Sequence, residues 1–223
     1  MLQRVNGIYR RRVRRLAERI GGVNWGLPPS RRAVAITFDD GPDPEFTPAV
    51  LDVLARHGVV ATFFLVGSAA LQYPELVRQT VSEGHAIGSH SFTHPEISDI
   101  SVSEVYREYR RGRDAVSSVV GRPVRLFRPP KGWFDVPRSA VTNRLGMQTW
   151  LWTSSGDDWV PGTTKDRILH ILGAPSAGDV VLFHDAIRQP LDPSALDRSA
   201  TVAAIDEFIP MVRRIDLELV ALP

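Results

Sequence analysis

Ala33-Val-Ala-Ile-Thr-Phe-Asp-Asp-Gly-Pro42 is an apolar run that ends abruptly in two carboxylates and a turn. Ala33–Phe38 reads as a strand, and Asp, Gly and Pro at 39–42 are ordinary turn formers. The same pattern recurs four times along the chain. His85–Gly88 runs into His90 and His94, and Val124–Phe127 runs into Arg128, Pro129, Pro130, Lys131 and Gly132. Thr149–Thr153 leads through two serines and a glycine to Asp157, Asp158 and Trp159, and Val180–Phe183 runs into His184 and Asp185. If the runs are parallel strands, these polar groups gather at the C-terminal end of one sheet or barrel, where α/β proteins keep their chemistry. Carboxylates, imidazoles and one guanidinium suit a metal-assisted hydrolase.

Working outward, strand patterns at 33–38, 59–66, 85–88, 124–128, 147–152, 179–183 and 217–221 alternate with helix patterns. The helices are expected near 46–57, 70–83, 102–120, 136–145, 164–173 and 199–213, with Gly58 as a C-terminal stop. This alternation indicates an α/β fold with a parallel sheet and helical crossovers. Seven strands in one domain suggest a distorted seven-stranded (β/α) barrel, and an open doubly wound sheet is the competing architecture.

The chain has 223 residues, of which 43% are hydrophobic and 23% charged, which suits one globular domain with a sizeable core. It contains no cysteine, so disulfides and thiolate metal sites are excluded. No apolar stretch approaches the roughly 20 residues that span a bilayer. The net charge of +2 conceals an asymmetry. Residues 1–32 carry nine arginines against Glu18 alone, which leaves −6 on the remainder. That acidic remainder argues against nucleic acid as a partner.

Leu2, Val5, Ile8, Tyr9, Val13, Leu16, Ala17 and Ile20 recur at helical spacing among the arginines, and Gly21-Gly22 stops the pattern. Residues 2–20 thus read as a basic amphipathic helix, and 23–31 as a linker, which suggests an N-terminal segment 1–31 and a catalytic domain 32–223. Such a helix can dock on an anionic membrane surface or pack on the domain with its arginines solvated. No cleavable secretory signal is visible, since more arginines stand where an apolar segment is needed. The expected location is cytoplasmic or peripheral at a membrane. Nothing in the sequence reads out the oligomeric state.

His90 and His94 stand four apart, and on a helical turn both rings would share one face and grip one metal ion. A third ligand is required, and Asp39-Asp40 offers one. Two histidines and a carboxylate leave zinc an open position. One aspartate can bind metal while its neighbour takes a proton from the attacking water. His184 could protonate a leaving group, with Asp158 or Asp185 holding its imidazole protonated. Arg128, ahead of two prolines, could orient a carboxylate or form a surface ion pair. Trp133, Phe134 and Trp159 could stack on sugar rings or pack in the core.

Taken in order, these segments resemble the polysaccharide deacetylases, the NodB-homology carbohydrate esterases of family 4. The resemblance covers roughly 32–222. Thr37-Phe-Asp-Asp-Gly-Pro42, His90-Ser-Phe-Thr-His94, Arg128-Pro-Pro-Lys-Gly132, Ser155-Gly-Asp-Asp-Trp159 and Leu182-Phe-His184 match its five motifs. Ala61-Thr-Phe-Phe-Leu-Val-Gly67 and Glu83-Gly-His-Ala-Ile-Gly88 look like its connecting segments. The resemblance implies a NodB-type distorted barrel and removal of acetyl groups from an N-acetylated sugar or glycan. It implies Asp39 as catalytic base and Asp40, His90 and His94 as ligands of a divalent metal, usually zinc, with cobalt or nickel workable. Arg128 would orient Asp39, Asp158 would tune His184 as the acid, and the backbone N–H of Lys131 would help hold the oxyanion. Pro130, Lys131 and Trp133 would border the substrate, and Trp159 and Leu182 would shape the groove for the acetyl methyl group.

Lysine 131 departs from the pattern, which usually has tyrosine or phenylalanine there. Trp133 could replace the missing aromatic wall, and the lysine could favour an anionic substrate. The competing readings are an O-acetyl glycan esterase, another non-peptide amidohydrolase of the same fold, and a non-catalytic carbohydrate-binding protein. Intact Asp39, Asp40, His90, His94 and His184 favour the deacetylase.

Overall fold

A computed structural model describes residues 22–223 except 29, 134 and 191. The basic helix expected over 2–20, and Phe134, lie outside the described residues.

The central strand, β2 (Ala33–Asp39), is buried along its whole length. Its side chains alternate between two cores, as strand geometry dictates. Val34, Ile36 and Phe38 join Val50, Leu54, Ile205 and Phe208 beneath helices, while Ala33 and Ala35 face Phe64, Leu126 and Trp150. The small alanines leave room for those large side chains on the second face. Phe38 stacks on Phe63 with ring centroids 4.8 Å apart.

The other strands are β1 (Val23–Asn24), β3 (Thr62–Leu65), β4 (Ala86–Ser89), β5 (Leu126–Phe127), β6 (Gln148–Trp150), β7 (Ser154–Ser155), β8 (Val180–His184) and β9 (Glu218–Val220). All pairings are parallel, in the order β1-β6-β5-β4-β3-β2-β8-β7, with β9 also on β2. From β2 to β6 each strand lies beside its predecessor, and β8 returns to the free side of β2. This is the winding of a barrel, without the reversal of a doubly wound sheet. The sheet curls into an incomplete barrel, and every strand ends toward the same rim.

All seven expected strands are present. The reading of 23–31 as a linker needs correction at its start, because Val23 and Asn24 pair with Thr149 and Trp150 at the sheet edge. Two residues are too few to show a strand period, and the same holds for β7.

The helices are α1 (Phe46–His57), α2 (Gly67–Gln72), α3 (Pro74–Ser82), α4 (Val102–Val120), α5 (Val136–Arg144), α6 (Lys165–Leu172) and α7 (Ser199–Arg214). Gly58 ends α1 in the left-handed conformation, at φ 58°. Ser101 and Glu104 close a reciprocal capping box at the start of α4. The single helix expected over 70–83 is two helices, broken at Tyr73 (φ −125°, ψ 58°). Proline 74 has no N–H to continue a helix and pushes the residue before it out of helical conformation. No helix among the described residues is long and apolar enough to cross a membrane.

Candidate active site

The strand ends converge on a cleft of about 440 Å³, lined by Asp39, Asp40, His90, His94, Lys131, Trp152, Trp159, Leu182, His184 and the segment Ile187–Pro190. One Nε2 of His90 lies 3.4 Å from Asp40 Oδ1, and that of His94 lies 3.3 Å from the same atom. The three side chains are buried, with potential ligand atoms within 4.8 Å of one another.

The histidines do not share a helical turn, contrary to the expectation from their spacing. They sit in an irregular loop after β4, in which Ser91 (φ 66°) and His94 (φ 57°) take left-handed backbone. Ser91 Oγ accepts the His94 N–H at 3.0 Å and so turns the second ring back toward the first. Helix α4 seats the loop from behind. A Cβ on Gly112 would stand 2.3 Å from the Ser91 carbonyl carbon, so only glycine allows this approach.

The donor set fits a cation. His90 Nδ1 lies 2.7 Å from the Arg128 carbonyl, which can only accept, so the Nδ1 carries the proton and Nε2 presents a lone pair. Burial, then the neighbouring His94, pushes His90 down to about 3, so the ring is neutral. Asp40 Oδ1 is buried without a hydrogen-bond partner. Lone pairs aimed at one buried point repel unless a positive ion sits among them.

Asp39 is gripped from the sheet. Arg128 Nη1 donates to Asp39 Oδ1 at 2.8 Å and to Thr37 Oγ1 at 2.8 Å, Nε donates to Trp150 O at 3.1 Å, and Nη2 donates to Leu151 O at 2.9 Å. Arg128 is fully buried, which rules out the surface ion pair. Burial raises the Asp39 pKa above the ordinary carboxylate value, against the pull of Arg128 and His184.

His184 Nδ1 lies 2.8 Å from Asp158 Oδ1, and its backbone N–H donates to Asp158 Oδ2 at 2.8 Å. Burial by itself lowers the imidazole pKa, but the charge and hydrogen bond of Asp158, with Asp40 and Asp39 beyond, carry it up to about 9. Asp158 is held in turn by Thr201 Oγ1 at 3.1 Å and, through its backbone carbonyl, by the buried Arg198 at 2.6 Å. Asp185, the other candidate partner for His184, turns away and accepts from Thr47 Oγ1 at 2.6 Å.

Trp159 and Leu182 line the cleft as expected, and the Trp159 ring meets His184 edge-on at 5.4 Å. Pro130 and Trp133 are not among the lining residues. Trp133 instead borders a small pocket with Tyr109, Phe127 and Arg138. The aromatic ring that lines the cleft beside Lys131 is Trp152, which the sequence pattern did not single out. Its ring fills the space beside Gly132, where a Cβ would come within 2.6 Å. Lys131 stands at φ 55° on the rim and ion-pairs with Glu96. Arg188, Arg198 and Thr201 were also missed, because their partners lie 40 or more residues away and no local pattern marks them.

The polysaccharide deacetylase family model matches residues 26–150, which takes in Asp39 through Arg128. A peptidoglycan-N-acetylglucosamine deacetylase of Bacillus cereus is 35% identical over 204 residues, covering 91% of this chain and 92% of the relative. A chitooligosaccharide deacetylase of a Bradyrhizobium species is 37% identical over 206 residues, covering 90% of this chain and 93% of the relative. The crystal structure of a peptidoglycan N-acetylglucosamine deacetylase, bound to an N-hydroxybenzamide, superposes with a TM-score of 0.85 at 30% identity and covers 94% of both chains. These similarities run past the end of the family match and through Asp158 and His184, and the chain belongs to the polysaccharide deacetylase family.

Proposed function

We propose that the cleft hydrolyses the acetamide of an N-acetylated sugar in a glycan, of the N-acetylglucosamine type, releasing acetate and a free amine. The observation that carries this reading is the cation-ready cluster of Asp40, His90 and His94 beside two tuned proton carriers, Asp39 and His184. Residues 32–223 form the catalytic unit, since every assigned side chain lies beyond residue 38.

Asp40, His90 and His94 would hold the metal, and zinc would suit two imidazoles and a carboxylate with an open position, as cobalt and nickel also would. When bound, the ion supplies Lewis acidity to the amide carbonyl and makes water a usable nucleophile near neutral pH. Asp39 takes the proton of that water. Arg128 fixes the orientation of its carboxylate and favours the ionised form, against the burial that raises its pKa. His184, protonated at neutral pH through Asp158, gives its proton to the departing nitrogen. Amide nitrogen is a poor leaving group until protonated, so an acid with a pKa near 9 suits the step. Trp152, Trp159 and Leu182 supply apolar and aromatic surface for the acetyl group and the sugar face. Pro130 and Lys131 place the backbone of the rim, where the Lys131 N–H assists the oxyanion.

The test is metal analysis of the purified protein combined with acetate release from a panel of N-acetylated glycans, with O-acetylated glycans alongside. Zinc at one equivalent and stoichiometric new amine support the proposal. Release from O-acetyl substrates only, or metal-bound protein inactive across the panel, overturns it.

A further inference from the structure

The segment that leaves β8 returns to the end of β2 and holds it from two sides. Asp185 packs its carboxylate against Gly41 and accepts from Thr47 Oγ1 at 2.6 Å. Three residues on, Arg188 grips Asp40 itself. The Arg188 backbone N–H donates to Asp40 Oδ2 at 2.9 Å, its Nε donates to the Asp40 carbonyl at 2.9 Å, and its Nη2 donates to the Pro42 carbonyl at 2.8 Å. Asp40 needs such help, because it stands at φ 76°, a conformation that disfavours a residue with a side chain. The two guanidinium bonds fix the backbone at Asp40 and Pro42, and the backbone N–H holds one carboxylate oxygen of Asp40. The oxygen left over, Oδ1, is the one that faces the two histidines. One residue later, Gln189 reaches the Thr93 carbonyl at 3.5 Å, on the histidine loop.

We infer that Arg188 is a positioning residue for the metal: its guanidinium sets the backbone of Asp40, from which the carboxylate is aimed, and thereby the affinity of the site. The inference rests on the metal-centred reading of the cleft. Without the fork of Arg188, the left-handed backbone of Asp40 would keep only the bond from the residue 188 N–H to its carboxylate, so more of its ordering would fall to metal binding, and that ordering costs affinity. Lysine has a single compact donor and cannot bridge two carbonyls as the planar guanidinium does. A residue that merely caps the turn would leave metal affinity unchanged whenever the fold survives.

The experiment uses the full chain as wild type, Arg188→Lys and Arg188→Met. Zinc affinity of the metal-stripped proteins is measured by competition with a chromophoric chelator, and turnover is measured at limiting and at saturating zinc. Arg188→Met should bind zinc about ten- to hundredfold more weakly, and Arg188→Lys should fall between it and wild type. Saturating zinc should restore most of kcat, and the visible spectrum of the cobalt-loaded variants should shift from wild type. Wild-type zinc affinity in a folded variant overturns the inference. Should Arg188→Met not fold, Arg188→Lys decides by the same measurement. Wild-type protein that binds no zinc sinks the metal reading and this inference together, a failure distinguished because it appears without any substitution.

Discussion

Asp39 and His184 are register partners on adjacent parallel strands, Asp39 closing β2 and His184 closing β8. Neighbouring strands lie about 4.8 Å apart and register partners point to the same face. The proposed base and acid are therefore held at a fixed spacing by the backbone ladder itself, while Arg128 and Asp158 orient them from two other strand ends.

This pairing predicts a bell-shaped dependence of kcat/KM on pH. Activity rises as Asp39 ionises, at a pH above the ordinary carboxylate range because burial raises it. It falls as His184 loses its proton, near 9. Asp158→Asn removes the negative neighbour, so the basic limb should move down toward the ordinary histidine value of 6.5 or below it. A basic limb that stays in place would show that Asp158 does not tune the acid.

The two adjacent aspartates should separate by role. Asp39→Asn should keep its zinc and lose turnover by about 10²- to 10⁴-fold, the range of a lost general base. Asp40→Asn should lose zinc. Metal content and initial rates on the same preparations check both, and an active Asp39→Asn variant would refute the assignment.

Gly112 lies outside the cleft, yet its substitution should reach the metal site. In Gly112→Ala the new methyl would meet the Ser91 backbone, so the histidine loop must shift. Overpacking of this kind costs about 1–3 kcal/mol, and zinc affinity should fall with it. Thermal melts and zinc titration measure the two effects. Unchanged zinc affinity would mean that α4 does not seat the loop.

Trp152→Ala should lower kcat/KM about three- to tenfold, corresponding to about 0.5–1.5 kcal/mol of aromatic contact, without changing zinc content. Trp133→Ala should leave kcat/KM near wild type, because that ring does not line the cleft. The reverse result would restore Trp133 as the sugar-stacking wall.

Much of the fold and of the site was legible along the chain because the informative residues are local to their strands. Five of the seven apolar runs that became strands carry their polar followers within a few residues, and a parallel sheet must deliver those followers to one rim. Asp39, Asp40, His90, His94, Arg128, Asp158 and His184 could thus be named as candidates from position and chemistry, while the family resemblance separated Asp39 from Asp40 by role and Asp158 from Asp185.

The tertiary structure decided how they meet. It replaced the expected helical turn at His90–His94 with a left-handed loop seated on Gly112, and put Trp152 where Trp133 was expected. It paired Lys131 with Glu96, and brought Arg188 and Thr201 to Asp40 and Asp158. The reason is physical. Strand and helix periods are set by neighbours within a few residues, so the sequence determined the elements and the order of chemical groups along the rim. The hydrogen bonds that orient those groups join residues as far as 148 positions apart, so only the closed sheet determined which side chain holds which.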